Sequence, residues 1–338
     1  MNRYLPLAIL VALASSPAVG QDVHFSQFNA SPLTLNPALA GKLECTYRAA
    51  INYRNQWNSI PAPYETYSAG FDIAVGKGRI GHGNEALGVG VLLMNDVAGD
   101  GGLSNLNANL FLAYHKELGR NHVLSAGFQG VFVQRGVNLS DLLLGDQILT
   151  GSPVSLDGSG MRNMQYFDAN AGIHWSSFWD MFSFNIGGAY YHILEPVETF
   201  GFDNGNKNTL APRYVGHGGF SVAIGEYVTI SPSFLYMQQS ATDQLNVGSS
   251  IGYHLDQVGL YGGLWHRRVE GLGGADAIIA LAGIELAKII LGVSYDISVS
   301  EITEANNGQG GFEISLGYNG CIMSRPTDKK CPTFKPKF

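Results

Sequence analysis

Gln244-Leu245-Asn246-Val247-Gly248-Ser249-Ser250-Ile251-Gly252-Tyr253-His254-Leu255 is the stretch that decides the fold class of this chain. Leu245, Val247, Ser249, Ile251, Tyr253 and Leu255 fall on one face, with Asn246, Gly248, Ser250, Gly252 and His254 on the other. A period of two is that of a strand. The same alternation places Leu106, Ala108, Leu110, Leu112 and Tyr114 opposite Asn105, Asn107, Asn109 and His115. It sets Ile289, Leu291, Val293, Tyr295, Ile297 and Val299 against Gly292, Ser294, Asp296 and Ser298, and Phe312, Ile314, Leu316 and Tyr318 against Glu313, Ser315, Gly317 and Asn319. Segments of about ten residues that alternate apolar with small or polar side chains and end in aromatics are the mark of a transmembrane β-barrel. The apolar face then meets lipid and the small polar face lines the lumen.

Working outward from these segments, fourteen strands are expected, at 45–56, 63–76, 86–96, 103–117, 121–136, 164–176, 181–194, 212–225, 227–240, 243–255, 257–268, 274–287, 288–300 and 309–319. The fold class is therefore an all-β, antiparallel outer-membrane barrel. An even count lets the sheet close with both of its ends on one side, and closure is required because an open edge in lipid leaves backbone groups unpaired. Tight connectors at 119–121, 177–180, 226, 256 and 287–288 nearly alternate with longer polar ones at 137–163, 195–211, 269–273 and 301–308, as periplasmic turns alternate with external loops. The connector near Ala241-Thr242 is shorter than this scheme asks, and 77–85 is longer. A large secreted β-sandwich also uses alternating strands. Its polar faces would carry Lys and Glu, whereas these carry mostly Gly, Ser, Asn and Ala.

Composition agrees. Charged residues make up 14% of the chain, against a usual value of about 25%, while Gly (44) and Tyr (16) are abundant. The first twenty residues read as a secretory signal peptide: a basic start at Arg3, an apolar run from Leu5 to Ala14, and small residues at Ala18 and Gly20 before Gln21. Without them, 27 Asp+Glu stand against 19 Lys+Arg, a formal charge of −8 that disfavours nucleic acid as a partner. No Cys follows the cleavage site, and no run of eighteen apolar residues follows it. Contact with a membrane is therefore expected without spanning helices.

Concentrated chemistry is scarce. Gly76-Lys77-Gly78-Arg79-Ile80-Gly81 has the form of a dinucleotide fingerprint, but Gly88-Val89-Gly90-Val91-Leu92-Leu93 soon after reads as a strand, so the helix N-terminus that holds a pyrophosphate is missing. Nine histidines are scattered one per element with no metal-ligand spacing, so no metal and no cofactor is expected. His115 with Ser125, or His254 with nearby serines, could form a nucleophile and base, although so many Ser and Asn face the lumen that chance proximity is expected. The expectation is a protein that is not an enzyme. Asn138-Leu139-Ser140 reads as a polar loop patch. Three cysteines leave one odd: Cys45–Cys321 would join the two ends of a closed sheet, Cys321–Cys331 would close a tail loop, and free thiols are the third arrangement. The tail 321–338 carries Arg325, Lys329, Lys330, Lys335 and Lys337, and Pro326, Pro332 and Pro336 stop it continuing the sheet.

The N-terminal block is the most specific part of the sequence. His24-Phe25-Ser26-Gln27-Phe28, Ser31-Pro32-Leu33, Leu35-Asn36-Pro37-Ala38-Leu39-Ala40-Gly41, Tyr47-Arg48, Asn52-Tyr53-Arg54-Asn55-Gln56-Trp57 and Tyr64 resemble the PorP/SprF family of type IX secretion system membrane proteins of Bacteroidetes. Cys331-Pro332-Thr333-Phe334 is similar to the family's closing Cys-Pro-Arg-Phe, with Thr333 in place of Arg. The resemblance implies an outer-membrane barrel that works with the type IX machinery and helps a secreted cargo protein reach or stay on the cell surface, with roles in protein secretion and gliding motility. A general porin or small-solute channel is the alternative. Residues 21–44 contain Phe25, Phe28, Leu33, Leu35 and Leu39 in a non-repeating pattern, and are expected to fold into the lumen of the 45–320 barrel as a plug. The partner-binding residues expected are Arg48, Arg54, Asn55 and Trp57, with Lys329, Lys330, Cys331 and Pro332 of a periplasmic basic arm, because Arg and Trp dominate desolvated interfaces. An inward Arg paired with a lumenal carboxylate such as Asp72 is the competing arrangement. Both termini are expected on the periplasmic side.

Overall fold

The computed structural model describes residues 22–43, 45–59, 63–76, 85–99, 102–119, 121–137, 143, 145–152, 155, 163–198, 208–255, 258–270, 274–300 and 303–321. The signal peptide, the arm residues Lys329, Lys330, Cys331 and Pro332, Asn138 to Ser140, and Lys77 to Gly81 lie outside them. Fourteen strands form one closed antiparallel barrel in which each strand pairs with its sequence neighbours and the first pairs with the last. They are β1 (Tyr47–Gln56), β2 (Tyr64–Val75), β3 (Glu85–Ala98), β4 (Leu103–Glu117), β5 (His122–Gly136), β6 (Met164–Phe178) and β7 (Phe182–Tyr191). The second half comprises β8 (Arg213–Ile224), β9 (Val228–Gln239), β10 (Thr242–His254), β11 (Val258–Val269), β12 (Gly274–Leu286), β13 (Ile289–Ser298) and β14 (Gln309–Gly320). No helix among the described residues is long and apolar enough to cross a membrane.

Closure runs along the whole of β1, with Tyr47 opposite Gly320 and Gln56 opposite Gly311. Alternation then sorts every strand. Leu110, Ile251, Leu264 and Ile51 are exposed on the outer wall, while Asn107, Asn109, Asn246 and Ser250 are buried inside. Two belts of paired aromatics ring the outer wall, as expected where a barrel meets the two membrane interfaces. At the long-connector end stand Tyr53–Tyr67, Trp57–Tyr64, Phe132–Phe167 and Tyr190–Tyr214, and at the short-turn end Tyr47–Tyr318, Trp175–Phe184, Trp179–Phe182 and Tyr227–Tyr253.

Two expectations need correction. The seventh strand stops at Tyr191 rather than 194, because His192 takes a positive φ of 61° and leaves the ladder. The first described residue, Asp22, does not share the short-turn rim with Cys321. It lies at the long-connector end, against His192, Arg213 and Gln239.

Candidate functional site

Residues 22–43 descend through the barrel from the long-connector end to the short-turn end, and the contacts they make with the inner wall form the candidate site. Pro32 and Pro37 break the segment into a four-residue helix, α1 (Pro32–Leu35), and a 3-10 turn (Pro37–Leu39) that a continuous strand could not make. Phe25, Phe28, Leu33, Leu35, Ala38 and Ala40 are all buried. Phe28 and Leu35 pack with Tyr191, Val215, Leu235, Trp265 and Ile279 on one side of the lumen, and Leu33 and Ala40 with Leu92, Phe111 and Ala113 on the other. Each large side chain so buried contributes about 1.5–3 kcal/mol.

At the top, Asp22 accepts from His192 Nε2 at 2.5 Å and lies 3.4 Å from Arg213, while its backbone N–H donates to Gln239 at 3.0 Å. His192 Nδ1 meets Asp168 at 2.6 Å. Burial alone would push His192 down, but the charge of Asp22 and hydrogen bonds to Asp168 and Asp22 raise it to about 9. Burial works against the Asp22 carboxylate too, yet Arg213 and His192 hold it well below the usual carboxylate range. His24, desolvated and close to Arg54 and Arg267, falls to about 3 and stays neutral.

A little lower, the backbone N–H groups of Ser26 and Gln27 donate to the two carboxylate oxygens of Glu313, at 2.6 and 2.8 Å. The Ser26 hydroxyl donates to Asp296 at 2.7 Å and accepts from Arg54 at 2.7 Å and Arg267 at 3.0 Å. Arg54 also pairs with Glu313 and, at 3.1 Å, with Asp296. Arg267 reaches Asp296 at 2.7 Å and Asp276 at 2.5 Å. Charges buried this deeply are tolerated only when paired, and here three carboxylates and two guanidiniums close around one serine.

The lower half is held by polar contacts to the backbone. Asn36, fully buried, donates to the carbonyls of Ile173 at 2.9 Å and Gly188 at 3.2 Å, lies 3.0 Å from His217 Nε2, and accepts from the N–H of Ala38. The wall must be bare here: a Cβ on Gly127 would overlap the backbone of Pro37, and one on Gly172 would overlap the Asn36 side chain. His115 is 2.8 Å from the carbonyl of Ala40 and 2.8 Å from Ser125. Gly41 N–H donates to Asp72 at 2.8 Å, and Lys42 Nζ lies 2.7 Å from His174 and 2.6 Å from Ser176. Burial lowers Lys42 to about 7.

Among the residues expected from sequence to bind a partner, Arg48 makes a two-pronged pair with Asp72 at 3.0 and 2.8 Å, and Arg54 is only 2% exposed inside the lumen. Both pair with the barrel's own carboxylates, which is the competing arrangement, and Arg48 keeps 19% of its side chain exposed. Asn55 faces outward and donates to Glu65 at 3.2 Å, and Trp57 packs edge-on to Tyr64 at 5.4 Å. Cys45 is bonded to Cys321, which settles the choice left open by spacing. His174 and His217 stack at 5.5 Å despite lying on separate strands, yet no group of metal-ligating side chains exists among the described residues. Asp22, Asn36, Arg267, Asp296 and Glu313 were not singled out in advance. Alternation puts the last three on the lumenal face, but only the strand register brings them together.

The sequence model described as type IX secretion system membrane protein PorP/SprF matches residues 18–318. The chain belongs to the PorP/SprF family. PorP/SprF proteins are membrane proteins of the type IX secretion system, and this member is an outer-membrane barrel. No curated protein matches the chain. Among solved structures, it is similar to the TodX monoaromatic hydrocarbon channel deltaS2 mutant at 10% identity and a TM-score of 0.50, covering 86% of this chain and 94% of that one. The CymD monoaromatic hydrocarbon channel is similar at 10% identity and a TM-score of 0.49, with 90% and 95% covered. At such identity the likeness is one of barrel architecture and not of cargo.

Proposed function

We propose that this PorP/SprF barrel is a non-enzymatic partner of the type IX machinery, engaging a secreted cargo protein at its external loops while its own N-terminal segment keeps the lumen shut. The observation that carries this reading is the filled lumen. Residues 22–43 place apolar side chains against both sides of the wall, and their polar atoms are taken up by the barrel. A porin needs an aqueous path, and a hydrolase needs room for substrate beside its nucleophile. Ser125 is instead buried against His115, whose other ring nitrogen is taken by the Ala40 carbonyl, and Ser176 is buried against Lys42. The loops remain as the working surface. Leu143 and, on the short helix α2 (Gly145–Thr150), Ile148 and Leu149 are exposed at the external end, where apolar side chains favour a protein partner. The basic arm with Lys329, Lys330, Cys331 and Pro332 supplies, in this reading, the contact to the machinery on the periplasmic side.

The test is to purify the tagged barrel from its native envelope in mild detergent and identify what co-elutes, alongside a deletion strain. The expected result is a co-eluting type IX cargo, loss of that cargo from the surface of the deletion strain, and negligible single-channel conductance. Elution alone, normal secretion of all surface proteins and lost uptake of a small solute would replace this reading with the porin.

A further inference from the structure

A cleft of about 300 Å³ opens on the lipid-facing side of the wall, at the external ends of β1, β13 and β14, and it is separate from the lumen. Its origin is local. The ladder between β13 and β14 slips between Asp296 and Ile297, so that Gly310 and Gly311 are both buried while Phe312 and Gln309 stay on the outer face. The slip parts the side chains of the outer face, and the gap is lined by Tyr53, Asn55, Asn58, Tyr295, Gln309 and Phe312.

That lining is unusual for a surface that meets lipid. Three aromatic rings supply flat apolar faces, and three amides supply both donors and acceptors. Asn58 and Gln309 are exposed and make no side-chain hydrogen bond among the described residues. On the outer face Glu65 borders the lining, accepting from Tyr53 at 3.2 Å, from Asn55 at 3.2 Å and from Tyr67 at 3.0 Å, while Arg54 lies behind Gly311 and is taken up by Glu313 and Asp296. A carboxylate beside the cleft repels phosphate, and among the described residues no Lys or Arg lines the cleft to attract one. Rings that stack on C–H faces, beside uncharged groups that pair with hydroxyls, suit a neutral sugar.

We propose that this cleft binds the sugar headgroup of a glycolipid of the external leaflet. The position fixes the source of the sugar, because the cleft sits in the external aromatic belt, level with Trp57–Tyr64 and Tyr53–Tyr67, where lipid headgroups meet the barrel. Acyl chains then run down the adjoining outer wall over Val293, Ile314 and Ile51. A soluble glycan reaching the same residues from outside would have no such apolar continuation.

Native mass spectrometry of the full-length barrel in detergent tests this, with an uncharged diglycosyl diacylglycerol and phosphatidylglycerol as separate probes. The wild type is expected to retain the glycolipid, and the double variant Asn58→Ala, Gln309→Ala to bind it about tenfold more weakly for the loss of its hydrogen bonds. A second variant, Tyr295→Leu, removes a ring while keeping an apolar surface, and is expected to weaken glycolipid but not phosphatidylglycerol. Unchanged migration of the unheated proteins on a gel certifies that the variants are folded. Equal retention of the two lipids by the wild type, or of glycolipid by wild type and both variants, would overturn the proposal.

Discussion

Ser26 shows how one residue can fasten a mobile-looking leader to a wall. Its N–H is fixed by Glu313, and its hydroxyl sits between Asp296, Arg54 and Arg267. Removing Arg54 alone leaves two buried carboxylates short of countercharge, a change that typically costs about 3–5 kcal/mol. Arg54→Met is therefore expected to loosen residues 22–30, measured as faster amide exchange of that peptide. Adding Glu313→Gln to Arg54→Met restores the charge balance and should recover part of the protection. Equal exchange in the single and double variants would show that charge pairing does not hold the segment. The top of the segment also titrates. His192, raised to about 9, contributes docking that is fully present below its ordinary value of 6.5 and is lost as pH rises through 9. His24, lowered to about 3, acts oppositely: release lets it regain its ordinary value, so docking weakens as pH falls below 6.5. Accessibility of a label at Asn29 should therefore be lowest near pH 6.5, rising as pH climbs from there to about 9 and rising again as it falls below 6.5. In His192→Gln the rise between pH 6.5 and 9 should vanish, and its persistence would assign that limb to another group.

Element by element, much of the barrel was legible because a strand buried on one face has to alternate. β4 spans Leu103–Glu117, the bounds its alternation gives. Misses fall where a local contact ends the ladder. β7 stops where His192 turns toward Asp168 and Asp22, and β13 stops at Ser298, whose N–H bonds Gly308 beyond the slipped register. The lumenal site was half legible. Arg54, Asp296 and Glu313 lie on the inward face by periodicity, but Arg54 meets Glu313 only because they are paired across the closing seam. Asn36 and Asp22 carry no periodic signal at all. The disulfide belongs to this scale, since Cys45 precedes β1 and Cys321 follows β14. The seam is already bonded along ten residues of β1. Cys45→Ser should therefore leave the barrel closed while lowering its resistance to unfolding by about 2–5 kcal/mol, measured by denaturant titration in detergent. The same loss on reduction of the wild type, and none on reduction of the variant, completes the check. A variant that never acquires compact gel migration would mean that the bond is needed to close the seam.

At the scale of the whole molecule, the barrel and its filling are built by different interactions, and that separation can be tested. All fourteen strand pairings run between strands, and residues 22–43 take no part in the ladder. Their departure would wet Leu235, Trp265, Ile279 and Phe111, which now pack in the lumen, at about 1.5–3 kcal/mol for each large side chain exposed. It would leave most lumenal charges paired, because Arg54 and Arg267 keep Asp296 and Arg48 keeps Asp72, while Arg213 would lose Asp22. Deleting residues 22–41 is therefore expected to give a less stable but closed barrel, with heat-modifiable migration retained and single-channel conductance raised from negligible to that of an open pore. The path of the segment adds a directional expectation. Because it enters at the long-connector end and leaves at the short-turn end, a Cys label at Asp22 should be reached from outside intact cells while one at Gly119 is protected, both in a background lacking the native cysteines. Labelling at Gly119 with protection at Asp22 would invert the barrel in the membrane. If the deletion abolishes compact migration altogether, the segment is a template on which the wall closes and not a filling added to a finished one.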